Sequence, residues 1–353
     1  MVGRGCKLGL VIACGVVACT TPEPTSFDAG VERSVDWAPA SLGGVIPSPE
    51  RNPLTKAGVA LGRRLFYDRS LSADGAVACA TCHIQRRAFA DGISRGSDGV
   101  SGQRLGRHAP VLQNLAWHDT GLFWDGGASD LESLVVAPLI SPDELGADPD
   151  QLVEALADDS VYVEQFDEAF GAAPSLPLLM RAVAQFMRTL ISGQSRYDAF
   201  VAGEATLSPD QASGLRVFEQ HCASCHPAPF FTDHDFHNLG LETEFSEDPE
   251  DLRKGRGRIT ERAEDFGRFK TPSLRNVTVS APYLHDGRLY DLREVLARYR
   301  DGLVMSEQLA PELIQANGEP GIPMSDDDLD DLEAFLGTLE DREFLNAPKF
   351  GQP

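Results

Sequence analysis

Apolar residues recur along this chain at helical spacing, and strand-like alternation is scarce. From Leu54 to Tyr67 the apolar positions Val59, Leu61, Leu65 and Phe66 predict a helix that runs into a Ser/Ala/Asp/Gly loop. Gln151 to Phe170 and Leu176 to Ser192 predict two more, the second with Leu179, Val183, Phe186, Met187 and Leu190 on one stripe. Ser208-Pro209-Asp210-Gln211 has a capping serine, proline at the first helical position and glutamine at the third, and it opens a helix to His221. Leu292, Val295, Leu296 and Tyr299 stand at i, i+3, i+4 and i+7. A last helix starts at Ser325, sets Asp326, Asp327 and Asp328 where the helix dipole favours anions, and turns Leu329, Leu332, Phe335, Leu336 and Leu339 inward. Gly62-Arg63-Arg64-Leu65-Phe66 and Gly214-Leu215-Arg216-Val217-Phe218 form a faint internal repeat. Between the repeats, Ser195 to Glu204 reads as a connection. Leu241 to Lys270, rich in Glu, Asp and Arg without periodicity, reads as a long solvated loop.

Each repeat leads into the same five-residue run, Cys79-Ala80-Thr81-Cys82-His83 and Cys222-Ala223-Ser224-Cys225-His226. In C-x-x-C-H both thiols can form thioethers to haem vinyl groups, and the adjoining imidazole is placed as proximal iron ligand. A zinc ribbon would keep its two cysteine pairs within a few tens of residues, and about 140 separate these. The runs use four of the seven cysteines, and the other three lie within the first nineteen residues, so no disulfide framework is left to build. The expected fold is all-α, two cytochrome c-like haem domains over residues 51–195 and 196–353, with two covalently bound c-type haems.

Arg4 and Lys7 precede an apolar run from Leu8 to Ala18, which marks residues 1–18 as a signal peptide. Val16-Val17-Ala18-Cys19 resembles a bacterial lipobox, with Cys19 as the lipidated residue; Val11-Ile12-Ala13-Cys14 also fits but leaves a shorter apolar core. An ordinary secretory signal with incidental cysteines is the other reading. A flexible tether follows over residues 19–50, opening with Thr20-Thr21-Pro22-Glu23-Pro24. No later run is long enough to cross a membrane, so the expectation is an exported, periplasmic, lipid-anchored protein. The net charge of −23, from 54 acidic and 31 basic side chains, argues against nucleic acid and suits a cationic partner or plain solubility.

Further landmarks lie between and after the haem runs. They are Arg107-His108-Ala109-Pro110, Phe123-Trp124-Asp125-Gly126, Phe236-His237-Asn238-Leu239-Gly240, Phe269-Lys270-Thr271-Pro272-Ser273-Leu274-Arg275-Asn276 and Ala281-Pro282-Tyr283-Leu284-His285-Asp286-Gly287. In this order they resemble the bacterial dihaem cytochrome c peroxidases and their MauG-like relatives, over roughly residues 50 to 340. The resemblance implies that hydrogen peroxide meets the N-terminal haem, that the C-terminal haem handles electron transfer, and that Trp124 passes electrons or holes between them. It points to Glu144, twenty residues after Trp124, as the group that moves a proton from one peroxide oxygen to the other. Read locally, Ser141-Pro142-Asp143-Glu144 is also a helix capping box. Pro138 matches a proline near the peroxide-binding face, and Leu134 stands where many relatives have glutamine.

Ordinary relatives close the first haem with a histidine until one-electron reduction releases it. Gly99 occupies that place here, and no histidine occurs between His83 and His108, so an open haem held only by His83 is expected. His118, in an Asp/Thr/Gly context, is expected to be exposed. His108 falls where relatives place an asparagine for an inter-domain Ca2+, beside the carbonyls of Ser280 and Pro282; imidazole suits so hard a cation poorly, which weakens the calcium expectation.

At the second haem the resemblance puts Tyr299, fourteen residues after His285, in the distal position held by methionine in most peroxidases and tyrosine in MauG-like proteins. By pattern alone Tyr299 fits a core position, and Met305 is the competing ligand. Thioether favours ferrous iron, whereas phenolate favours ferric or higher states. The implied function is a dihaem peroxidase of MauG-like character, with hydrogen peroxide and either a redox-protein donor or an oxidisable protein substrate as partners. A homodimer is compatible with this reading. An ordinary cytochrome c peroxidase and a non-catalytic dihaem electron-transfer cytochrome are the alternatives.

Overall fold

The computed structural model describes residues 38–93 and 98–353. The signal peptide, Cys19 and most of the tether lie outside the described residues. The first half holds α1 (Lys56–Tyr67), α2 (Cys79–Cys82), α3 (Leu131–Ile140), α4 (Pro149–Asp158), α5 (Ser160–Phe170) and α6 (Leu176–Arg188). Thr55 opens α1 by accepting the Gly58 amide at 2.9 Å. Helices α1 and α6 then pack closely because Gly62 has no side chain: a Cβ there would overlap the carbonyl oxygen of Ala182.

The second half holds α7 (Arg196–Val201), α8 (Pro209–His221), α9 (Arg256–Thr260), α10 (Leu292–Asp301), α11 (Asp326–Leu336) and α12 (Arg342–Asn346). Strands β1 (Phe236–Asn238) and β2 (Arg268–Lys270) pair antiparallel, His237 opposite Phe269. Helix α8 lies on α11 as α1 lies on α6, and the reason is the same, since a Cβ at Gly214 would overlap the carbonyl oxygen of Asp331. The faint repeat in the sequence is a repeat of helix contacts.

Buried apolar side chains form two cores. One runs from Leu42 to Ile191 and the other from Phe218 to Leu339. Residue 195 falls between them, but Phe344, Leu345, Ala347 and Phe350 return to the first core. Their backbone is tied there by Arg63 Nε to the Gly351 carbonyl at 2.7 Å, Tyr67 to Phe350 at 2.8 Å and Gln85 to Ala347 at 2.9 Å. A buried polar seam joins the halves: Asn276 Nδ2 donates to Gln113 at 2.6 Å and to Ser192 Oγ at 2.9 Å, and Asp341 accepts the Gly193 and Gln194 amides at 2.9 Å.

Three expectations change. The helix expected over Gln151–Phe170 is two helices, broken where Asp159 caps α5 by accepting the Val161 amide at 2.8 Å. The connection Ser195–Glu204 contains α7, boxed by Ser195 and Asp198, and Asp198 takes both terminal nitrogens of the fully buried Arg275 at 2.8 Å. The stretch Leu241–Lys270 contains α9 and β2 and turns part of its length inward. Among the described residues no helix is long and apolar enough to cross a membrane.

Candidate active site

One turn of helix aligns the two thiols of each cysteine run, because the His83 amide donates to Cys79 O and the His226 amide to Cys222 O, both at 2.9 Å. None of the four cysteines is in a disulfide. Burial pushes the Cys79 and Cys222 thiols up to about 12, the opposite of a thioredoxin-like nucleophile, which needs a depressed pKa. His83 donates Nδ1–H to Phe89 O at 2.7 Å and His226 to Phe231 O at 3.0 Å. Each carbonyl fixes the tautomer and leaves Nε2 free to coordinate. Burial lowers both imidazole pKa values, which favours the neutral, ligating form.

Two cavities open over these imidazoles. The first is lined by Cys79, Cys82, His83, Pro138 and Glu144, and the second by Cys222, Cys225, His226 and Tyr299. Trp124, His108 and Pro110 line both. Trp124 is buried between the cavities, its Nε1 donating to His108 O at 2.9 Å and its ring centroid 5.2 Å from the His108 ring. Paired thiols, an oriented neutral imidazole and an apolar enclosure fit a covalently attached haem in each cavity.

The segment that places Trp124 recurs in the second half. Phe123-Trp124-Asp125-Gly126 and Leu284-His285-Asp286-Gly287 share left-handed first and last residues, with φ of 63° and 78° in one and 69° and 65° in the other. Matching bridges close the two turns, Leu122 to Ala128 and Tyr283 to Leu289. Asp130 and Asp291 then cap α3 and α10. Fourteen residues after Trp124 the chain has Pro138, and fourteen after His285 it has Tyr299. Equivalent helix positions thus present a phenol in one cavity and a ring without donor or acceptor in the other.

Tyr299 faces the second cavity, where burial raises its pKa and the Cys222 and Cys225 sulfurs add to the shift. Met305 is 44% exposed and lines neither cavity. Glu144 lies in a turn and not at a helix start, because α4 begins later, capped by Asp148. Burial raises the Glu144 pKa, opposed by Ser141 and reinforced by Asp143. His118 is half-buried, not exposed: its ring stacks on His234 with centroids 4.1 Å apart. His108 is buried, its carbonyl is taken by Trp124, and an imidazole stands where calcium would want oxygen, so these donors do not fit a calcium ion. Cys225, His237 and Glu312 gather at metal-binding distance, but Cys225 belongs to the second C-x-x-C-H run and His237 pairs with Asp233 at 2.7 Å.

Part of the first cavity wall comes from a stretch whose sequence has no apolar periodicity. Leu252, Arg258 and Ile259, from the stretch read as solvated, line it together with Arg107. Buried Asp125 accepts from Arg107 at 2.6 Å and from Arg258 at 3.2 Å. Burial alone would raise the Asp125 pKa, but the two guanidinium groups hold it below the usual carboxylate range. The run Lys254-Gly255-Arg256-Gly257-Arg258 was the available signal, since its two glycines permit the close approach that solvated loops lack.

A family model described as di-haem cytochrome c peroxidase matches residues 56–206. The methylamine utilization protein MauG of Methylorubrum extorquens is 36% identical over 337 residues, which cover 94% of this chain and 90% of that protein. The chain belongs to the di-haem cytochrome c peroxidase family. The cytochrome-c peroxidase IdrP1 of Denitromonas iodatirespirans is 31% identical, covering 85% of each chain. A solved MauG-like protein associated with microbial copper homeostasis matches with a TM-score of 0.77 and 30% identity, over 87% of this chain and 96% of that one. As a member of this family the chain is a peroxidase-type oxidoreductase that works with two c-type haems and hydrogen peroxide.

Proposed function

We propose that this family member is MauG-like: peroxide reacts at the first haem without prior reduction, and the oxidising equivalents are shared with a second haem ligated by His226 and Tyr299. The observation that carries the reading is the place of Tyr299 in the second cavity while Met305 lies at the surface. A bound haem supplies iron that accepts peroxide and stores oxidising equivalents. His83 holds one side of the first cavity, and Pro138 and Leu134 on its wall offer no ligand atom. Glu144 takes a proton from one peroxide oxygen and gives it to the other. Trp124 passes charge between the halves, and the neutral His108 ring beside it adds no positive charge to oppose oxidation of the indole. The electrons come from a redox protein or from oxidisable residues of a protein substrate, outside the cytoplasm, with Cys19 as the lipid anchor.

The test is hydrogen peroxide added to purified all-ferric protein, followed by EPR and optical spectroscopy. Both ferric signals should vanish without pre-reduction. Silence until one haem is reduced would sink the proposal and favour the ordinary peroxidase cycle. Glu144→Gln should slow the reaction by about 10²–10⁴-fold. Glu144 accepts a proton only when ionised, so the wild-type rate should rise with pH through an inflection above the ordinary carboxylate value, and the variant should lose that inflection.

A further inference from the structure

We infer that Gly99 is a positioning residue: the loop 98–102 is a clasp that fixes the carboxylate of Glu144 over the first cavity. The inference rests on the proton-transfer role proposed for Glu144. The Val100 amide donates to Glu144 O at 2.9 Å, and Ser101 Oγ donates to Asp143 Oδ1 at 2.9 Å. The loop is itself closed, since Gly102 N donates to Gly99 O at 3.0 Å and Asp98 bridges Arg104. Gly99 lies directly on the turn it holds: a Cβ there would overlap the Asp143 carbonyl and come within 2.6 Å of Glu144 O. Val100 also fills the space beside Gly146, where an added Cβ would lie 2.8 Å from Val100 Cγ2. From the other side, the Leu145 amide donates to Pro138 O at 3.1 Å and Ala73 N donates to Leu145 O at 2.9 Å.

The turn that carries Glu144 is therefore gripped between α3 and the 98–102 loop, and the grip requires position 99 to be bare. The residue that denies the first haem a second ligand from this loop also sets the catalytic carboxylate. Any side chain at 99 must push the Asp143–Glu144 turn away. Openness and proton transfer are two results of one glycine.

The experiment compares Gly99→Ala, Glu144→Gln, Ser101→Ala and the Gly99→Ala/Glu144→Gln double variant by stopped-flow reaction of all-ferric protein with peroxide across pH. The optical spectrum of the second haem reports intact folding. Gly99→Ala should slow the reaction at least about tenfold, part of the general acid–base contribution, and should move its pH inflection down toward the ordinary carboxylate value as Glu144 leaves its buried place. Ser101→Ala removes only an exposed bond and should change the rate less than about twofold. The double variant should react no more slowly than Glu144→Gln alone, because the two residues act as one unit. A wild-type rate and pH profile in Gly99→Ala, with Glu144→Gln slow, would overturn the clasp and leave the Glu144 reading standing. A wild-type rate in Glu144→Gln would overturn that reading, and the clasp with it. If Gly99→Ala protein does not accumulate, Val100→Pro serves, since position 100 is the second residue of the 99–102 turn, where proline is tolerated. It removes the N–H given to Glu144 O, so it should produce the same downward pH shift, and an unshifted profile would count against the clasp.

Discussion

The two halves place the same structural segment over each cavity and then diverge at one position, Pro138 in the first and Tyr299 in the second. Both segments run through a turn with two left-handed residues, an aspartate cap and a helix. The difference teaches that this architecture specialises its two haem sites by side chain and not by fold. A helix position that turns a phenol into one cavity places a proline ring in the other.

Exchanging those residues should have the largest effect. Pro138→Tyr gives the first half the residue of the second, and should convert the first haem to a six-coordinate low-spin species that no longer reacts with peroxide. Tyr299→Phe should open the second haem and give it a high-spin ferric signal. EPR of the all-ferric variants reads both outcomes, and an unchanged spectrum in Tyr299→Phe would remove Tyr299 from the iron.

The paired aspartates come next. Asp125 is buried against Arg107 and Arg258, whereas Asp286 pairs with the partly exposed Arg288 at 2.7 Å. Asp125→Asn takes the carboxylate from the part-buried Arg107, while Arg258 keeps Glu250 at 2.7 Å, and it should cost about 1–3 kcal/mol in denaturant unfolding. Asp286→Asn should cost about 1 kcal/mol or less. The folded pKa of Asp125 is depressed, so its contribution should be present above the unfolded carboxylate pKa and lost as pH falls through the lower folded value. Equal losses in the two variants would show that the halves differ less in electrostatics than their burial indicates.

The smallest difference between the halves should be at their helix contacts. Gly62→Ala and Gly214→Ala each force a Cβ onto a carbonyl of the facing helix, and each should destabilise by about 1–3 kcal/mol. Unequal losses would mean that only one of the two helix pairs needs so close an approach.

The sequence disclosed what chemistry confines to neighbouring residues. Haem attachment demands its two cysteines and histidine in one short run, and the limits of α8 and α11 were written in Ser208 and Ser325 with their third-position partners. Folding that depends on distant chain was less legible. Ser141-Pro142-Asp143-Glu144 has the composition of a helix start, yet the chain bends at Gly146, with φ of 63°, and Ala147 N donates back to Leu139 O at 2.9 Å, so a turn forms instead. The inward part of 241–270 showed no periodicity, since its buried residues, Lys254, Gly255, Gly257, Gly267, Phe269 and Lys270, come from turns, a short helix and a strand and not from one helix stripe. The repeat around Trp124 and His285 was present as D-G-x-x-x-D-L, but the residues that differ between the copies are the ones that attract notice.

Residues 344–350 give the molecule an order in time. The first C-x-x-C-H run is made early in synthesis, but the core behind it includes chain some 260 residues downstream of Gln85 and is complete only once that chain has been made. The second core, whose members all lie between Phe218 and Leu339, closes from its own stretch of chain. The half that holds Cys79 and Cys82 is thus the half whose core is completed last.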